Sequence, residues 1–181
     1  MGRMFRREDD AALREVVTTL KEVPLFRSFS RSALRDLAEA VHRRDYRRDE
    51  FMYYERDPGL GLYIVQRGRV RLLVEDEAGS VHELRQVSEH ELFGRLSLLG
   101  DFRRMETAQA VVDTRVLGFF RPDLRTIVKR HPATGAAFIE ALAHNLAATQ
   151  AELVRFIGER DGKVAARRIL DGIGTRVDAR R

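Results

Sequence analysis

Between about Tyr46 and Phe120 the chain breaks into short apolar-rich runs, and nothing else in it restricts the fold as much. The runs are Phe51 to Tyr54, Leu62 to Gln66, Arg69 to Glu75, Val81 to Val87, Ala108 to Val112 and Val116 to Phe120. Asp57-Pro58-Gly59, Arg67-Gly68 and Ala78-Gly79-Ser80 punctuate them. Runs of this length suit strands better than helices, and glycine and proline between them supply turns. Many short strands at close spacing predict an all-β barrel or sandwich in the middle of the chain.

Helical periodicity flanks this region. Leu13, Val16, Val17 and Leu20 recur at helical spacing, which predicts an amphipathic helix over residues 8–22, with Asp9 and Asp10 at its start. Pro24 stops it, and Ser30 is suited to cap a second helix through Val41. After Arg121, Pro122 fits the first turn of a short helix that ends near His131-Pro132. A longer helix follows over about 133–157, with Phe138, Leu142, Leu146, Leu153 and Ile157 in a mostly heptad-like stripe. Arg160 to Ile173 reads as one more short helix, with Val164, Ala165, Ile169 and Leu170 apolar. The expected division is a helical segment 1–45, a β domain 46–120 and C-terminal helices 121–181.

Composition excludes several classes of function. No apolar run approaches 18 residues, so no transmembrane helix is expected. Residues 1–10 are charged and lack a signal-peptide core, which points to the cytoplasm. The absence of cysteine rules out disulfides and thiol chemistry. The five histidines are dispersed and no H-x-H is present, so neither a cupin-like metal site nor any other enzyme is expected. The net charge of +5 comes almost wholly from arginine, since only Lys21, Lys129 and Lys163 are lysines. Acidic residues are interspersed almost throughout; Arg43-Arg44 with Arg47-Arg48, Arg103-Arg104 and the Arg180-Arg181 tail are the exceptions.

One stretch carries more specific chemistry. Glu91-Leu92-Phe93-Gly94-Arg95-Leu96-Ser97-Leu98-Leu99 is followed by Arg104-Met105-Glu106-Thr107-Ala108. A glycine allows close backbone approach, successive amides at a short helix form an anion nest, and an arginine fork binds phosphate oxygens. The stretch resembles the phosphate-binding cassette of the cyclic-nucleotide-binding domain family. Three further segments resemble that family in the same order. They are Val23-Pro24-Leu25-Phe26 with the helix from Ser30, the strand pair from Gly61 to Val70, and Arg121-Pro122-Asp123-Leu124. The resemblance covers about residues 20–160. It implies a mainly β fold: an eight-stranded antiparallel jelly roll (a double-stranded β-helix) with N-terminal helices and a long C-terminal helix.

The cassette departs from the family pattern at its centre. Arg95 stands where the family has the glutamate that accepts from the ribose 2′-hydroxyl, nine residues before Arg104. Arginine has no acceptor. Met105 replaces a small residue beside the ligand and Glu106 replaces the next alanine, while Asp49, Arg56 and His90 occupy usual turn-glycine positions. Arg95 and Glu106 could pair and fill the ribose space. Alternatively, Arg95 and Arg104 could form a doubly cationic pocket for a more anionic nucleotide. In a cassette that no longer binds cyclic AMP or cyclic GMP, Arg104 would be free to bridge to Glu91 or Glu106. The candidate ligand residues are Gly94, Arg95, Leu96, Ser97, Arg104, Met105, Glu106 and Thr149, the last near a helix position where related regulators place a hydroxyl on the adenine.

The expected function is a non-enzymatic regulatory or sensor module, degenerate for cyclic AMP and cyclic GMP, that relays a signal through its C-terminal helices. The alternatives are a catabolite activator-type transcription regulator without its DNA-binding domain, and a sensor of another anionic nucleotide. No cofactor is expected beyond such a ligand. The expected partners are a second copy, joined through the C-terminal helix, and a small anion. Autonomous sequence-specific DNA binding is not expected, because no recognition element for a groove is present.

Overall fold

The computed structural model describes residues 2–168 and residue 170, with side chains described from residue 10. Its contacts divide the chain into two compact units, Met1–Phe138 and Ile139–Arg181.

The first unit opens with helix α1 (Gly2–Glu22), a 3-10 turn at Pro24–Phe26 and helix α2 (Arg31–Ala40). The Ser30 hydroxyl accepts from the Ala33 amide and caps α2 as its position predicts. Eight strands follow: β1 (His42–Tyr46), β2 (Phe51–Tyr53), β3 (Gly61–Arg67), β4 (Val70–Glu75), β5 (Val81–Val87), β6 (Leu92–Phe93), β7 (Thr107–Ala110) and β8 (Thr114–Phe120). A four-residue helix α3 (Leu96–Leu99) interrupts them, and α4 (Arg121–Arg130) follows β8. The strands form two four-stranded sheets, ordered β1-β8-β3-β6 and β2-β7-β4-β5, and the neighbouring strands in each are antiparallel. This is the jelly roll with flanking helices.

Strand β3 explains the layering. All of its residues from Gly61 to Gln66 are buried, so it is covered on both faces. Tyr63 and Val65 point into the space between the sheets, with Tyr53, Val70, Leu72, Val87, Phe93, Ala108 and Val116. Leu62, Ile64 and Gln66 face the other way, where Gln66 Nε2 donates to the Thr19 hydroxyl of α1 at 3.2 Å. A second cluster closes that side. Phe138 meets Phe26 and Phe119 edge-to-face at centroid distances of 5.3 and 5.0 Å. Fully burying each such ring contributes roughly 1.5–3 kcal/mol.

The barrel begins earlier than the runs predict. Residues 42–46 form a strand paired with β8 from His42↔Gly118 to Tyr46↔Thr114. His42 to Asp45 are exposed, so β1 carries no apolar alternation that could mark it. Strand β6 has only two residues and is as silent. Helix α1 also starts before residue 8.

Helix α5 (Pro132–Asp161) gives its first turns to the first unit and the rest to the second. In the second unit, Gly162 at φ 93° interrupts the helix and residues 163–168 are helical again. Ile169, residues 171–173 and the Arg180-Arg181 tail lie outside the described residues. The stripe expected to join two copies differs in exposure along its length. Phe138 belongs to the core of the first unit and Leu142 is buried as well, whereas Ile139, Leu153 and Phe156 are exposed.

Candidate functional site

Strand β6 ends at Phe93, and Gly94 turns the chain at φ 69° into Arg95 and α3. A Cβ at Gly94 would lie 2.3 Å from Arg104 Nη1. Glycine is needed there both for the left-handed backbone and for the space the guanidinium occupies. The loop after α3 is fastened to the turn between β2 and β3. Gly59 N donates to Phe102 O at 3.2 Å, Arg104 N to Asp57 O at 2.9 Å and Arg56 N to Arg104 O at 2.8 Å. Ser97 is buried against Gly59, where a Cβ would meet its Oγ at 2.0 Å.

Arg104 is the centre of the site. Its side chain is buried, at 4% exposure. Nη1 donates to Gly61 O at 2.8 Å and to Gly94 O at 3.3 Å. The guanidinium carbon lies 4.1 Å from the centroid of Tyr53 and 5.5 Å from that of Tyr63. Nε is buried with no hydrogen-bond partner. Among the described residues no carboxylate lies within ion-pair distance of it. The expected bridges to Glu91 or Glu106 do not form, because both acids are engaged elsewhere. Glu91 lies 3.5 Å from Arg85 and accepts from the Ser88 amide, and Glu106 Oε1 accepts from the Tyr53 hydroxyl at 2.9 Å. A buried cation held only by carbonyls and ring faces lacks the paired negative charge that such burial ordinarily calls for.

Tyr53, Tyr63 and Phe93 fill the barrel next to this cation. Tyr53 and Tyr63 stack at 6.0 Å, and Tyr63 and Phe93 at 5.4 Å. Burial first, and then the Glu106 carboxylate, push the Tyr53 phenol far above its ordinary range, so it stays a neutral donor. Glu106 thus serves the barrel wall through Tyr53, a tie that sequence reading missed. A tyrosine in a three-residue strand carries no signal of where its hydroxyl points.

The remaining candidates sit as follows. Arg95 and Leu96 are half-buried around the start of α3. Met105 is 66% exposed and packs in neither apolar cluster. The structure therefore gathers Gly94, Arg95, Leu96, Ser97, Arg104, Met105 and Glu106 into one cassette region. Thr149 is exposed on α5 in the second unit, where its hydroxyl donates to Asn145 O at 3.0 Å.

Asp49, Arg56 and His90, at positions the family usually gives to turn glycines, have φ of 64°, 67° and 66°. Each backbone amide donates across a turn or between strands: Asp49 N to Ala110 O, Arg56 N to Arg104 O and His90 N to Val65 O. These bonds hold the left-handed turns at residues other than glycine.

Residues 43–131 match the cyclic nucleotide-binding domain family. The chain is 34% identical over 136 residues to the cyclic AMP receptor protein of Thermus thermophilus, covering 75% of this chain and 59% of that protein. It therefore spans less than two thirds of that relative's length. Among solved structures, the N-terminal domain of a transcriptional regulator from Streptomyces coelicolor superposes with a TM-score of 0.69 at 27% identity, covering 75% of this chain and 94% of that one. The Thermus thermophilus catabolite activator protein superposes with a TM-score of 0.61 at 34% identity, covering 72% and 61%. No helix among the described residues is long and apolar enough to cross a membrane.

Proposed function

Because residues 43–131 belong to the cyclic nucleotide-binding domain family, we propose that the chain is a non-enzymatic regulatory module whose cassette no longer takes cyclic AMP or cyclic GMP as an ordinary ligand. The observation that carries this is the pairing of a retained phosphate arginine with a lost ribose acceptor. Arg104 is buried, lacks a carboxylate and leaves Nε unpartnered, which keeps it competent for an anion. Arg95 offers donors alone where a 2′-hydroxyl needs an acceptor. Tyr53 and Glu106 close the adjoining wall by a hydrogen bond of their own.

The relay runs through the C-terminal helices. Movement of the cassette against the barrel would displace α4 and α5, and a second copy would read that movement through Leu153, Phe156 and neighbouring residues. Both are exposed, at 55% and 58%, and Phe138 takes no part in that contact. The likeness to the N-terminal domain of a transcriptional regulator supports a second reading, in which this chain is the sensor portion of such a regulator.

Restoring the cassette tests the proposal. Arg95→Glu returns the acceptor and should raise cyclic AMP affinity by roughly tenfold, the worth of a hydrogen bond to a charged group. Glu106 should be changed to Gln, since Gln removes the charge that would repel the new Glu and keeps an acceptor for Tyr53. The triple variant Arg95→Glu, Met105→Ala, Glu106→Gln should gain more than the single change, and not additively, because the three share one site. A folded triple variant with no gain in calorimetry would place the block elsewhere.

A further inference from the structure

We propose that a second anion site, separate from the cassette, lies in the cleft between β1, the start of α4 and the cassette loop, and that it takes a phosphate-bearing small molecule with a planar ring, such as a nucleoside polyphosphate. The cleft has a volume of about 680 Å³ and is lined by Arg44, Leu60, Asp101, Phe120, Arg121, Pro122 and Arg125. That size is within the range of small-molecule sites.

Three arginines, Arg44, Arg121 and Arg125, line the cleft against one carboxylate, Asp101. Arg121 and Arg125 are one turn apart on α4, an arrangement that costs stability when both are charged. Asp101 answers only Arg121, at 3.3 Å, and is itself 93% exposed. Arg44 and Arg125 make no ion pair or side-chain hydrogen bond among the described residues. The nearby acids are already engaged. Asp45 holds Arg115, and Asp123 accepts from the Phe120 amide at 2.8 Å and contacts His42 at 3.2 Å. The N-terminus of α4 is already answered by Asp123, whose carboxylate accepts from the Phe120 amide.

The floor is apolar. Leu60 is 56% exposed, and Phe120 is partly buried with its ring edge-on to Tyr63 at 6.0 Å. Uncompensated arginines around an open apolar floor suit a ligand that is anionic at one end and flat at the other. Arginine forks bind phosphate oxygens two at a time, and a base can lie on Leu60, Phe120 and Pro122.

Arg121 ties the cleft to the cassette. It bonds Gly59 O at 3.1 Å as well as Asp101, and Asp101 stands three residues before Arg104. A phosphate that competes for Arg121 releases Asp101 and loosens the loop that carries Arg104. By linkage, occupancy of one site then alters the other.

Calorimetry on the full chain at low salt, with ATP, inorganic pyrophosphate and adenosine as probes, tests this site. ATP should bind most tightly, pyrophosphate more weakly and adenosine not measurably. Arg44→Gln and Arg125→Gln should each weaken ATP by about tenfold, the worth of a charge-assisted bond. Arg85→Gln, an exposed charge outside the cleft, should leave it unchanged and controls for net charge. Unchanged thermal midpoints in all three variants establish that they fold. No ATP binding at millimolar concentration overturns the proposal. So does binding that Arg44→Gln and Arg125→Gln leave intact, which would locate the nucleotide elsewhere, or that Arg85→Gln weakens equally, which would be nonspecific charge attraction. None of these results bears on whether cyclic AMP enters the cassette, so the two proposals fail independently.

Discussion

Arg56 sits at φ 67° with a side chain 87% exposed, so the left-handed backbone is a nearly pure conformational cost. Its amide is fixed to Arg104 O, which glycine would preserve. Arg56→Gly should therefore stabilise the chain by about 0.5–1 kcal/mol in urea unfolding, because a side chain at positive φ costs more than glycine's extra freedom. Gly94→Ala should do the reverse. Its Cβ would strike Arg104 Nη1 in a backbone already at φ 69°, and the loss should be about 1–3 kcal/mol. That change also moves the Arg104 guanidinium, so near-ultraviolet dichroism of Tyr53 and Tyr63 should change with it. The two substitutions show what was legible at this scale. Gly94, Arg104 and the turn positions Asp49, Arg56 and His90 could be read from the resemblance to the family's motifs. The inward fold of Arg104 over Tyr53 could not, because nothing in the spacing says which ring a guanidinium will meet.

At the scale of elements, the strands with apolar alternation were readable and those without were not. β3, β4 and β8 fall on the apolar runs nearly end to end, since a strand buried on one or both faces must show it in composition; β5 also falls on its run, although only Val87 of it is buried. β1 is an edge strand with polar residues on both faces, and β6 is too short for any period. The β4–β5 hairpin supplies a pH test. The Asp76 carboxyl is held below its ordinary value of 3.8 first by the hydrogen bond from His82 at 2.6 Å and then by the Ser80 amide, with smaller help from Ala78 and Gly79. A carboxyl whose folded pKa is lowered adds stability above its unfolded pKa and loses it as pH falls through the folded value. Titration followed by NMR should therefore place Asp76 below 3.8, and Asp76→Asn should loosen amide protection in residues 76–82 at neutral pH. A midpoint at or above 3.8 would remove this account of the turn.

For the whole molecule, the fold and family were legible because several motifs occur in order, each required by a turn, a strand pair or a helix cap. The dimer stripe was only half legible. Heptad spacing marks a buried face and does not say whether the chain's own core or a second copy buries it. Phe138 went to the core, and Leu153 and Phe156 are left outside. Light scattering at tens of micromolar should show a dimer, and Leu153→Glu with Phe156→Glu should convert it to a folded monomer. A wild-type monomer would count against the assembly. Arg104 remains buried in a cassette where Arg95 offers no acceptor for a ribose hydroxyl. Losing that bond costs roughly 1.5–3 kcal/mol, or about ten- to a hundredfold in affinity. Calorimetric titration of cyclic AMP into the full wild-type chain tests it most directly. The expected result is weak or undetectable heat with no saturation in the submicromolar range, and saturable submicromolar binding would contradict it.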